Sequence, residues 1–96
     1  MYLVISHWEP LPGRDMDFER TGPKVREALR STPGVEFMEA IKSDGKYTAV
    51  HGYKDEATYH AVVDDPNGPF SKALADSHLE DVARWVGSER GETIPH

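Results

Sequence analysis

The sequence predicts an α+β domain of the ferredoxin-like βαββαβ class, a four-stranded antiparallel sheet with two helices on one face. Three observations predict it. Strand and helix signals run strand, helix, strand and then strand, helix, strand within 96 residues, too closely spaced for a large doubly wound sheet and too few for a closed barrel. The first strand is apolar on both sides, as suits a central strand. A single domain this short also has a thin core, so its uncovered sheet face gains by packing on a second copy. A homodimer is therefore expected.

Tyr2 to Trp8 combines β-branched and aromatic residues and is closed by Pro10, Pro12 and Gly13, which reads as strand one. Between Asp15 and Ser31, Phe18, Val25, Ala28 and Leu29 fall at helical spacing. Pro23 lies inside this stretch, removes an amide donor and disfavours helix just before it, so a kink or a short turn followed by a helix from near Pro23 is expected. Val35 to Lys42 and Lys46 to Lys54 flank Ser43-Asp44-Gly45, and an Asp-Gly step suits the positive φ angles of a tight hairpin. Asp55 offers an N-cap, Tyr59, Val62 and Val63 form an apolar stripe, and Pro66 stops the helix. Asn67-Gly68-Pro69 reads as a turn, with further helix around Phe70, Ala73 and Leu74. Residues 79–87 fit either a strand or a helix. A strand is chosen, because it completes the sheet and keeps strand one off an unpaired edge. Residues 88–96 read as a polar tail or swap arm of the single domain 1–96.

Composition narrows the function. The formal charge is -6, with 17 acidic residues spread along the chain, and no basic cluster interleaves with aromatics, so nucleic acid is not an expected partner. Cysteine is absent, which removes disulfides, thiolate nucleophiles and cysteine metal sites together. The apolar start is too short to span a membrane and lacks a basic signal-peptide region. A cytoplasmic protein without membrane contact is the expectation. No phosphate loop, nucleophile elbow or dinucleotide fingerprint occurs. The five histidines lack metal-binding spacing, with His60 and His78 on separate elements, so no metal site is expected.

The chemistry centres on two histidines. With sheet order 4-1-3-2, and strands one and three as parallel neighbours at its centre, His7 and His51 sit near the same strand ends and Tyr53 follows on the face of His51. If Leu3, Ile5 and His7 point to that face, two imidazoles and a phenol converge on one pocket, where a neutral imidazole can take a proton from an acidic substrate. Each histidine can equally bond a neighbour or reach solvent. Trp8, Phe37, Tyr47, Tyr53 and Trp85 suit the core or a dimer interface, and alternatively a flat pocket that stacks an aromatic ligand. Asp64-Asp65-Pro66 reads as a stop signal whose second carboxylate could instead orient a histidine.

Pro33-Gly34-Val35, Tyr47 to Tyr53 followed by Lys54-Asp55-Glu56-Ala57, and Asp65-Pro66 together resemble the dimeric α/β-barrel superfamily. Its members include antibiotic-biosynthesis-monooxygenase-like, YciI-like and stress-responsive barrel proteins. The resemblance implies two subunits packing sheet faces into an α/β barrel, each with a cavity between sheet and helices. In the monooxygenase-like branch it implies a small aromatic substrate, a general base and direct reaction with dioxygen without flavin, metal or other cofactor. His7 or His51 would be the base, and Tyr53, Trp85 and Trp8 would line the pocket. The haem-degrading branch implies an asparagine on strand one, which this chain lacks. The YciI-like branch implies a histidine on the first helix; Asp65-Pro66 matches its Asp-Pro step, but residues 15–31 contain no histidine. Two classes stay open: a cofactor-independent monooxygenase or related acid-base enzyme, and a non-catalytic ligand-binding or regulatory dimer.

Overall fold

A computed structural model describes residues 1–95. The chain runs β1 (Tyr2–Pro10), α1 (Asp15–Arg30), β2 (Val35–Ser43), β3 (Lys46–Tyr53), α2 (Glu56–Tyr59) continuing as a π-helical turn (His60–Asp64), α3 (Pro69–Ser77), a 3-10 turn (Leu79–Asp81) and β4 (Ala83–Glu92). The sheet order is β2-β3-β1-β4, which is the expected order, and all three strand pairs are antiparallel. The expected parallel relation of β1 and β3 is therefore corrected. The α1 crossover makes β1 and β2 parallel, and β3, returning from the β2 hairpin, inserts between them and opposes both.

Helix α1 runs unbroken through Pro23, with neither the turn nor the restart expected there. A proline inside a helix costs roughly 3 kcal/mol. Here it is outweighed by the stripe of Phe18, Gly22, Val25 and Leu29, all buried, because packing of an apolar face supplies most helix stability in proteins. The end of α1 is tied to β2 by Arg30, which donates to the Met38 carbonyl at 3.0 and 2.7 Å and pairs with Glu39 at 3.2 Å. Gly34 then turns the chain at φ +89, and its carbonyl accepts from Lys54 N at 2.8 Å.

The β2-β3 hairpin turns on Asp44 (φ 52) and Gly45 (φ 76), the paired positive angles of a type I′ turn. A Cβ at Gly45 would meet nothing within 4 Å, so a substitution there is opposed by the backbone angle alone. Gly45→Val is expected to destabilise by about 1 kcal/mol or more, read as a lowered melting temperature; an unchanged one would show that the turn does not need this angle.

Asp55 caps α2 as expected, its carboxylate accepting from Thr58 N at 2.8 Å and Thr58 Oγ1 at 2.6 Å. The widening into a π-turn at His60 carries no signal in the apolar spacing. Pro69 opens α3 and His78, left-handed at φ 59, closes it. In the last third the strand is present, but Leu79–Asp81 form a 3-10 turn and β4 begins only at Ala83. Leu79 and Val82 are buried, which holds the turn against α1 and α3. Ser88–Glu92, expected as tail or swap arm, complete β4 and pair with Tyr2–Ser6 of the same chain, because the central β1 offers a hydrogen-bonding edge along that length. His96 lies outside the described residues.

The helices cover one sheet face. On it Tyr2, Val4, Met38, Tyr47 and Tyr53 meet Phe18, Val25, Leu29, Tyr59 and Val62. The opposite face carries Leu3, Ile5, Phe37 and Val50, half-buried, and Ile41, exposed. No helix among the described residues is long and apolar enough to cross a membrane.

Candidate active site

Alternation along antiparallel strands decides which side chains share a face. Val4 opposes His51 and Tyr2 opposes Tyr53 across the β1-β3 ladder, and Ser6 opposes Ser88 across β1-β4. These side chains point toward the helices, where a cavity of about 550 Å³ opens between sheet and helices. Ser6, His51, Tyr53, Tyr59, Ser88 and Arg90 give it a polar inner wall.

His51 is the centre of this wall. Its Nδ1 lies 2.7 Å from Tyr53 Oη and its Nε2 lies 3.3 Å from Ser6 Oγ. Only 8% of His51 is exposed, and Tyr53 is fully enclosed. Desolvation penalises the charged imidazolium and brings the His51 pKa down to about 4. Burial first, and then the neighbouring Tyr59, push the Tyr53 phenol above its ordinary range, so it stays protonated. The Tyr53 hydroxyl can donate to Nδ1 or accept from it. The second arrangement places the imidazole lone pair on Nε2, toward Ser6 and the cavity.

The other end of the cavity is aromatic. Trp8 opposes Tyr47 on β3 and Trp85 on β4. The Trp8 and Phe18 rings stack at 6.4 Å, and the Phe18 and Tyr47 rings meet edge to face at 4.9 Å. A bulge between His7 and Trp8 shifts the β1-β4 register there, and brings Trp85, 55% exposed, to the cavity wall.

Tyr53, Trp8 and Trp85 thus line one cavity with His51. His7 does not join them. It opposes Thr48 on β3 and belongs to the helix-free face with Leu3 and Ile5, where its Nε2 lies 2.8 Å from Glu89 Oε2. The expected convergence of His7 and His51 is corrected, because an odd separation between Val4, which opposes His51, and His7 places them on opposite faces.

Comparison of the structure with solved ones gives matches over nearly the whole chain. A protein from Deinococcus radiodurans, provisionally described as an antibiotic biosynthesis monooxygenase, superposes with a TM-score of 0.78 at 10% identity, covering 100% of this chain and 95% of that one. SnoaB, a cofactor-independent oxygenase from Streptomyces nogalater, gives 0.76 at 11% identity over 99% and 94%, and Rv0793 from Mycobacterium tuberculosis 0.76 at 13% over 99% and 96%. The chain has the antibiotic-biosynthesis-monooxygenase fold. A scan of family models and a search of curated proteins by sequence both give no match.

Within this monooxygenase-like fold, Ser6, Ser88 and Arg90 are polar cavity residues that sequence reasoning missed, and Ser6 is the one in contact with His51. Its signal was parity: once Tyr53 and His51 face the helices, an antiparallel β1 must send Val4 and Ser6 to them. Among the described residues, His60 and His78 also lie outside the cavity. His60 is exposed between Asp64 on Nδ1 and Glu56, 3.1 Å from Nε2, which raise its pKa, Asp64 first. Of the Asp64-Asp65 pair, it is Asp64 that holds a histidine. Asp65, read as part of a stop signal with orienting a histidine as the alternative, accepts from Asn67 N at 2.8 Å in a local turn. His78 faces Asp81 at 3.5 Å.

Proposed function

We propose that the protein is a small cofactor-independent monooxygenase, or a related acid-base enzyme, acting on a small aromatic substrate with His51 as proton acceptor. The observation that carries this reading is a neutral, enclosed imidazole bonded to Tyr53 on one side and presenting its other nitrogen toward Ser6 in an aromatic-walled cavity. The Ser6 contact, at 3.3 Å, is the weaker of the two and is the one a substrate hydroxyl displaces. Proton transfer from a bound phenol to Nε2 gives a phenolate beside an imidazolium, and Tyr53 Oη accepts from the Nδ1 hydrogen of that cation. A desolvated imidazole is a reluctant base alone. The anion created next to it offsets this, because a unit charge in contact counts for far more in a dry cavity than in water. The electron-rich ring then meets dioxygen. The fold likeness to SnoaB supports the reaction type, and the ring-lined wall supports the substrate class.

The test is oxygen consumption by the parent protein with a panel of hydroquinones and anthrone-like phenols in the presence of a chelator. Uptake with at least one supports the enzyme. No uptake with any would favour the second class, a ligand-binding dimer using the same cavity.

The helix-free face, with Leu3, Ile5, Phe37 and Val50, supports pairing of two copies through their sheets, His7 and Glu89 lying within the contact. Such an interface buries on the order of 2,000 Å² or more. Sedimentation at micromolar concentration is expected to give a dimer; a folded monomer would remove this assembly.

A further inference from the structure

Arg26 brings to the cavity a cation with unspent donors. It stands on α1, is half-buried and lines the cavity, yet among the described residues no carboxylate pairs with it and no group accepts a hydrogen bond from it. The other cavity cations are occupied: Lys42 pairs with Glu19 at 3.7 Å, and Arg90 donates to Ser88 Oγ at 3.0 Å. Burial first, and then the neighbouring charge of Arg30, lower the Arg26 pKa against the pull of Glu39, whose carboxylate is held by Arg30 at 3.2 Å. A guanidinium stays charged in proteins and carries five donors in a fixed fork. Gly22, buried one turn earlier, makes room for it: a Cβ there would meet Arg26 Nη1 at 3.0 Å and Cζ at 3.8 Å, so the guanidinium lies back over the bare helix surface. Glycine inside a helix is destabilising relative to alanine, and here the space it leaves is taken by a charge.

Two contacts fix where Arg26 stands. Arg30 reaches Met38 at one end of the α1-β2 pair and Glu19 reaches Lys42 at the other, so Arg26, one turn before Arg30, lies between them, above Ala40. Ala40 opposes Ala49 and Met38 opposes His51 across the β2-β3 ladder. The two alanines line the cavity and leave the space under the guanidinium unfilled. His51 is the next cavity-facing residue of β3, on the order of 7 Å along the strand. We propose that Arg26 binds an anionic group of the ligand, so that the substrate is an aromatic acid whose carboxylate lies over Ala40 and Ala49 while its hydroxyl lies at His51. This rests on the reading of the cavity as the ligand site and names the substrate class within it.

Titration calorimetry at neutral pH with 6-hydroxy-2-naphthoate and with its uncharged carboxamide, which keeps the ring and the hydroxyl, isolates the anionic group. The parent is expected to bind the acid about tenfold or more tightly than the amide, as a charge-assisted guanidinium-carboxylate pair supplies. Arg26→Gln should erase that preference while amide affinity and the melting temperature stay at or above parent values, because the guanidinium holds nothing in the free protein. Arg26→Lys should keep part of the preference, having the charge without the fork. Equal affinity of the parent for the two compounds, or an undiminished preference in Arg26→Gln, would overturn the subsite while leaving His51 chemistry intact. A preference lost in Arg90→Gln and kept in Arg26→Gln would place the anion at Arg90 and overturn it likewise. Failure of both compounds to bind at millimolar concentration would overturn the subsite and the aromatic-ligand reading together.

Discussion

His51→Ala is expected to lose about 10²-fold or more of any oxygen-dependent turnover, since that is what removal of a general base typically costs, while the fold persists. Tyr53→Phe should fall less far. It keeps the imidazole but deletes the hydroxyl 2.7 Å from Nδ1, which orients the ring and receives the Nδ1 hydrogen once the cation forms. His7→Ala should retain the parental rate per folded protein, because its side chain lies on the opposite sheet face. Initial rates of the three variants, with circular dichroism to confirm folding, decide the assignment. A His51→Ala protein with full activity would sink it, and a collapse confined to His7→Ala would move the chemistry to the other face.

The same imidazole is expected to make the folded chain acid-sensitive. In the unfolded chain its pKa is about 6.5, and in the folded chain about 4. Between those values the unfolded state binds a proton that the folded state does not, so stability falls as pH falls through this window and levels off below it. The gap converts to about 3 kcal/mol at most, a large share of what a small domain has. His60 has the opposite sign: its raised pKa gives stability that is full below the ordinary histidine value and is lost as pH rises through the folded one. That side chain is exposed, so solvent screens its contribution. The Asp55 carboxyl, held low first by the Thr58 hydroxyl, gives stability that is lost as pH falls through its folded pKa, below the His51 window. Urea unfolding at intervals from pH 7.5 to 4 should show the parent losing stability relative to His51→Leu over the window. Parallel curves for the two proteins would mean that His51 is not buried neutral.

Much of this was legible in the sequence because local chemistry and tertiary position agreed. Asp44-Gly45 required positive φ, Asp55 was placed to cap, and alternating residues near Trp85 suited a strand. The misreadings share one cause. Tyr2, Val4 and Trp8 on one side of β1 are about as apolar as Leu3 and Ile5 on the other, so the strand carries no alternation from which to read its inward face. Strand direction then had to settle it, and a parallel pairing with β3 chose His7 where the antiparallel ladder chooses Ser6. Pro23 misled for a different reason: its cost is local, whereas the contacts that override it reach from Phe18 and Leu29 to residues distant in sequence.

The cavity lies where a domain of this size would otherwise concentrate its packing, which couples occupancy to melting. Whatever fills it binds the folded chain and not the unfolded one, and at a concentration one hundred times its dissociation constant contributes about 2.7 kcal/mol. In a domain of roughly this length each kcal/mol moves the midpoint by about 4–8 °C. A ligand of the right shape should therefore announce itself as a rise of more than about 10 °C in a thermal scan. The fold thus acts as its own reporter in a search of chemical libraries, whether or not the compound that binds is ever oxidised.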